Sequence, residues 1–262
     1  MKYINKIEYK NCIGKVFASK YYGLFKVISY HNRSKVEIEF IETGYRKFCG
    51  LSNIRVGEIR DPYFKSLCGV GVVGVKYDTR YKNESGKNAM VKQYNIWSHM
   101  IKRCYSEKSE DKDKTYKDCT VSENFKHYEY FYEWCNRQIG FNNEGWQLDK
   151  DLLVKGNKIY SEDTCVFLPQ ELNNLLTKRS NNRGEFPIGV CYRKREGKYS
   201  SALSLNKGNP TTLGYYNTPE EAFYAYKKAK ESFIKEQAYK WKDKIDPRAF
   251  EALMNYRVEI TD

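Results

Sequence analysis

Asp149-Lys150-Asp151 is the stretch of this chain whose residue types best suit hard-cation chemistry. Two carboxylates so placed can share a Mg²⁺ or Mn²⁺ ion and orient a water molecule on it. If both lie on one strand they face the same side, which suits shared coordination. Salt bridges to the abundant lysines are the competing use of the same groups. Histidines number three, His31, His99 and His127, and none lies close to the aspartates in sequence. His99 falls in a helical pattern, where a place on the helix surface or a satisfied buried ring is the expected use. The eight cysteines are Cys12, Cys49, Cys68, Cys104, Cys119, Cys135, Cys165 and Cys191. No two are spaced as C-x-x-C or C-x4-C, so no zinc site is expected and the thiols read as small buried hydrophobes.

A second kind of chemistry stands nearer the carboxyl end. Residues 188–195, 198–206 and 211–217 read as three short strands, separated by turns at Glu196-Gly197 and Lys207-Gly208-Asn209-Pro210. Alternation puts Tyr199, Ser201, Leu203 and Leu205 on one face. Lys198, Ser200, Ala202, Ser204 and Asn206 take the other. Arg193, Arg195, Lys198, Ser200 and Ser204 would then line a cationic sheet face able to reach base edges and phosphates in a major groove. A solvated charged face is the plainer reading of the same residues.

Composition agrees with a polyanionic partner. Lys plus Arg number 46 against 33 Asp plus Glu, a formal charge of +13 over 262 residues. Such an excess raises affinity for nucleic acid by counterion release. Frequent Lys, Asn and Tyr also fit a compositional bias, which would inflate lysine without any function. Hydrophobic residues make up 40% of the chain, enough to build packed cores, so global disorder is not expected. No apolar run is long enough to cross a membrane, and the amino-terminal stretch carries charges where a signal peptide needs an apolar segment. The expectation is a basic cytoplasmic protein.

The elements that must position these residues fall into modules. Within residues 1–68, β-rich runs at 15–17, 25–30 and 36–40 suggest a small antiparallel barrel or curled sheet. The glycine-rich stretch 69–75 lacks the spacing of a nucleotide-binding loop and reads as a strand or linker needing close backbone approach. Residues 69–180 form a second module. Trp97, Met100, Ile101 and Cys104 share one helical face, and residues 124–138 repeat the pattern through Phe125, Tyr128, Phe131, Tyr132 and Cys135 until Gly140. Residues 106–117 read as a charged loop. A third module spans 183–241. Thr218 caps a helix, with Pro219 at its first position, Glu221 completing a capping box and Ala222, Tyr226, Ala229 and Phe233 as its apolar stripe. Residues 242–262 are left as a tail. The fold class is α+β and modular, its last module a three-stranded antiparallel sheet on one helix.

The stretch from Ile188-Gly189-Val190 to Phe233 resembles the Apetala/ethylene-response-factor DNA-binding domain. The residues that match are Gly197-Lys198, Leu213-Gly214, Thr218-x-x-Glu221-Ala222 and Ala225-Tyr226. The resemblance covers about 50 residues and implies double-stranded DNA as partner. Thr211 and Thr212 stand where the plant domains carry Arg and Trp, so their target sequence does not transfer. The segment from Gly145 through Asn157 and Cys165-Val166-Phe167-Leu168-Pro169 to Asn173 resembles an HNH nuclease motif. That resemblance implies a β-hairpin and helix around one divalent metal. It implies Asp149, Lys150 and Asn157 as the catalytic set, with Asp149, Asp151 and Asn173 as ligands to Mg²⁺ or Mn²⁺. Lys150 occupies about the place of the family's general-base histidine, and a lysine is cationic at neutral pH and a poor base.

Mobile-element proteins combine these two regions. The expected function is DNA binding in a phage or mobile element, with metal-dependent, homing-type endonuclease activity. The alternatives are a non-catalytic DNA-binding regulator and a phage protein that binds a host partner and blocks a defence complex.

Overall fold

A computed structural model describes residues 11–106, 116, 118–177, 185–204 and 210–262. Leu205 and Asn206 at the end of the expected strand, all but Pro210 of the expected turn 207–210, and most of the charged loop 106–117 lie outside the described residues. The chain is a mixture of helices and mainly antiparallel strands, divided into two compact units. The first runs to Cys135 and takes in Lys158–Glu162; the second comprises Asn136–Asn157 and Asp163–Asp262.

The first unit opens with β1 (Val16–Ala18), β2 (Leu24–Asn32), β3 (Lys35–Phe40) and β4 (Arg46–Cys49), an antiparallel meander in the order β1-β2-β3-β4. The alternation in β3 decides its orientation. Val36, Ile38 and Phe40 are buried, while Glu37 and Glu39 face outward. Of the two forms expected, this is the open one: among the described residues no pairing joins β1 to β4, so no barrel closes. Helix α1 (Leu51–Val56) adds Leu51 and Ile54 to the core.

Next come the hairpin β5 (Arg80–Lys82) and β6 (Asn88–Met90), helix α2 (Lys92–Tyr105), strand β7 (Thr120–Val121) and helix α3 (Tyr128–Arg137). In α2 the expected face is the buried one, with Trp97, Met100 and Ile101 enclosed and Cys104 partly so. The glycine stretch has the close approaches expected of it. A Cβ at Gly71 would meet the Trp97 ring at 3.1 Å. At Gly74, where φ is +77°, a Cβ would overlap the Glu129 carboxylate, which accepts the backbone N–H groups of Val75 and Lys76 at 2.7 Å each.

The second unit contains β8 (Trp146–Asp149), which pairs antiparallel with β10 (Val166–Pro169) and leads into α4 (Gln170–Leu176). Between them, β9 (Ile159–Tyr160) belongs to the first unit and runs parallel to β7. Then follow β11 (Val190–Arg193), β12 (Lys198–Leu203) and β13 (Thr211–Tyr216), a sheet in the order β11-β12-β13. Helix α5 (Pro219–Trp241) begins with the expected capping box. Thr218 Oγ1 accepts the Glu221 N–H at 3.2 Å, and the Glu221 carboxylate accepts the Asn217 and Thr218 N–H groups.

Leu203, Phe223, Tyr226 and Val258 form the core between sheet and helix, with Val190 and Leu213 against it. The apolar stripe of α5 differs from the expected one at its far end: Ile234 and Ala238 are buried, and Phe233 only partly. The helix is 23 residues long, roughly 34 Å at 1.5 Å per residue, and outruns the sheet. Beyond the sheet it packs with residues of β10, α4 and α6 (Pro247–Met254), so its buried stripe rotates toward those partners. Residues 242–262, expected to be a tail, carry a helix with Ala249 and Leu253 in the core.

Gly189 explains how closely sheet and helix meet. Its φ is +78°, and a Cβ there would stand 2.1 Å from the Tyr226 ring. Gly189→Ala should therefore cost roughly 3 kcal/mol, from left-handed backbone strain and overpacking together. Urea unfolding measures it, and a loss below ~1 kcal/mol would mean that the ring does not rest on that backbone.

Candidate nucleic-acid interface

Strand register sorts the last sheet into two faces. Val190, Ser201 and Gly214 are cross-strand partners on the helix side. Cys191, Ser200 and Tyr215 are partners on the opposite side, as are Arg193 and Lys198 one step along. A bulge after Ser201 carries the pattern on to Ala202 and Thr212. Cys191, Arg193, Lys198, Thr212 and Tyr215 are all exposed, so the helix-free side is open along most of its area.

The hairpin between β11 and β12 concentrates charge. Its loop is the four-residue turn Lys194–Gly197, closed by the Glu196 N–H donating to Arg193 O at 3.1 Å, with Gly197 at a φ of +62°. Arg195 therefore stands at the hairpin tip and not on the strand beside Arg193, as its alternation had implied. The four cations Arg193, Lys194, Arg195 and Lys198 are exposed, and none forms an ion pair with a described residue. Lys194 was absent from the sequence-based set. Its place in the turn follows from Gly197 adopting left-handed backbone, which lengthens the loop by two residues.

Two serines expected on this face fare differently. Ser204 is exposed just past the end of β12. Ser200 is 1% exposed, although it lies on the open side. Arg193 Nε donates to its Oγ at 3.1 Å, and that hydroxyl donates to Cys191 O at 3.1 Å. The correction is that Ser200 is buried, with its hydroxyl bonded to Arg193 and Cys191, and so is not a surface group of that face.

In residues 145–173 strand β8 pairs antiparallel with β10, which runs into α4, and β9 between them pairs with β7. The polar groups of this segment are arranged as follows. Strand β8 ends at Asp149, so Asp149 and Asp151 do not alternate along one strand. The Asp149 carboxylate accepts the N–H groups of Asp151 and Leu152 at 2.9 and 2.7 Å, a local turn. Burial raises its pKa, with the Asp151 charge adding to the rise and those two N–H bonds opposing it. Asp151, itself exposed, pairs with the buried Lys150, whose Nζ donates to Oδ1 at 2.6 Å and to Asn157 O at 3.2 Å. Asn157 returns the contact, its Nδ2 donating to Lys150 O at 2.7 Å. Asn173 Nδ2 donates to Gln147 Oε1 at 2.7 Å.

These residues do not fit a divalent ion as they stand. Asp149 Oδ1 is taken by two backbone amides, Asp151 Oδ1 by an ammonium, and Asn173 turns its amide nitrogen to Gln147. Lys150, 5% exposed, places its positive charge within the loop. Among the described residues no group of three or more His, Cys, Asp or Glu side chains could hold a metal ion. The three histidines are exposed, His31 on β2, His99 on α2 and His127 at the start of α3. No described helix is long and apolar enough to cross a membrane.

No protein-family model, curated protein or solved structure matches the chain.

The Lys150–Asp151 pair is asymmetric, with side-chain exposures of 6% and 58%. Asp151→Ala removes the carboxylate that balances a buried cation and should cost about 2–3 kcal/mol. Lys150→Met leaves a carboxylate that water can reach and should cost about 1 kcal/mol. Adding Mg²⁺ or Mn²⁺ after chelation should leave the thermal midpoint in place. The reverse order of the two variants, or a midpoint that climbs with metal, would contradict the arrangement.

Proposed function

We propose that this protein binds double-stranded DNA through the open face of β11–β13, and that the β8–β10 hairpin is a structural element braced by Lys150. The observation that carries the reading is the set of four exposed cations on one hairpin, with no ion pair to any described residue. Exposed cations that have no acidic partner retain their full charge for a polyanion. Pairing them with phosphates releases counterions at no cost in broken salt bridges.

Dimensions agree. Three strands at about 4.8 Å spacing span about 10 Å, against a major groove about 12 Å wide. The helix backs the sheet from the other side, so docking requires no rearrangement of the core. Tyr215 and Thr212 add a ring and a methyl group on the same face, suited to sugar and base-edge contact. The resemblance to the Apetala-type domain points to the same sheet. A cutting role would require Asp149 and Asp151 to leave their present partners and gather a metal, and the bonds they make weigh against it.

The direct test is anisotropy titration of a labelled duplex at several salt concentrations. Wild-type affinity should fall steeply with salt. Replacing Arg193, Arg195 and Lys198 together by alanine should weaken binding at least ~100-fold and reduce the log–log salt slope by roughly 3. An unchanged affinity in that variant would overturn the assignment. Divalent-dependent plasmid nicking, lost on Asp149→Ala, would instead favour the nuclease reading.

A further inference from the structure

We infer that Ser200 is a positioning residue that fixes the Arg193 guanidinium as a fork aimed at a pair of hydrogen-bond acceptors on the duplex. This rests on the reading of the sheet as a DNA-binding face. The four hairpin cations are not alike. The side chains of Lys194, Arg195 and Lys198 make no hydrogen bond or ion pair with a described residue. Arg193 alone among them is tied down, through Nε to Ser200 Oγ at 3.1 Å.

The tie has a direction. Ser200 Oγ gives its own proton to Cys191 O at 3.1 Å, so its lone pairs face Arg193. The hydroxyl therefore acts toward the guanidinium purely as an acceptor. It is 1% exposed, which removes water as a competitor for that bond. Ser200 and Cys191 are cross-strand partners, so the relay is built into the register of β11 and β12.

A guanidinium held at Nε keeps its two terminal nitrogens. They present parallel N–H groups in a rigid plane. That edge matches two adjacent acceptors, which a duplex offers either as the edge of a base or as two phosphate oxygens. Fixing the plane beforehand lowers the ordering cost of the contact and makes it directional. The three untied cations contribute attraction without direction. In this division of labour, Arg193 with Ser200 sets orientation on the duplex, and the rest of the hairpin sets salt-dependent affinity.

The experiment uses the full chain and a randomised double-stranded DNA pool, from which wild-type protein enriches a preferred fraction. Affinities for the enriched and starting pools are measured for wild type, Ser200→Ala, Ser200→Thr and Arg193→Ala, and for the Arg193→Ala Ser200→Ala double variant. Ser201→Ala is the control, one residue along on the helix side. Ser200→Ala should weaken binding about tenfold, with Ser200→Thr and Ser201→Ala near wild type. The effect should vanish in the Arg193→Ala background.

A loss confined to the enriched pool identifies a base edge as the acceptor pair. An equal loss on both pools, with the salt slope lowered by about one, identifies phosphate. Wild-type affinity in Ser200→Ala overturns the inference and leaves DNA binding by the sheet intact. So does a loss of the same size with or without Arg193. Failure of the wild-type protein to bind the pool overturns both.

Discussion

The contact between the Tyr226 ring and the backbone at Gly189 governs the geometry of the carboxyl-terminal sheet. A ring seated where a Cβ would stand brings α5 against β11 and β12 and buries Leu203 and Phe223 behind them. Once that side is sealed, the alternation of the strands sends Arg193 and Lys198 the other way. The open cationic face is thus the complement of a tightly closed apolar one. Residues that look unrelated in sequence, a glycine near 189 and an aromatic ring 37 positions later, act as one joint.

A parallel logic operates in the β8–β10 hairpin. A long loop between two strands must be gathered by something. Here Lys150 and Asn157 exchange bonds across the loop, and Asp149 closes the turn at its start. An internal ammonium and a side-chain amide thus hold the two ends of the loop together by hydrogen bonding.

Much of the sheet-and-helix module was legible from residues alone. Thr218, Pro219 and Glu221 marked the helix start because capping chemistry is local. Val36, Ile38 and Phe40 marked a half-buried strand because the side-chain period is two. What was not legible depended on register and on distant partners. Ser200 reads as an exposed strand serine until its neighbour across the sheet is known to be Arg193's strand. Arg195 left the strand because Gly197 lengthened the turn. Ile234 replaced Phe233 in the buried stripe because the far half of α5 packs on elements other than the sheet. The two aspartates face different partners because β8 stops at Asp149.

Of the eight cysteines, Cys191 alone is exposed, and it lies on the open face in the row with Ser200 and Tyr215. It is therefore a built-in reporter for occupation of that face. The decisive measurement is the rate of thiol alkylation at Cys191, followed peptide by peptide, with and without saturating duplex. The account predicts that DNA slows modification of Cys191 severalfold and leaves the partly exposed Cys68 and Cys104 unaffected. Cys191 labelled at the same rate with duplex bound would place the DNA elsewhere and contradict it.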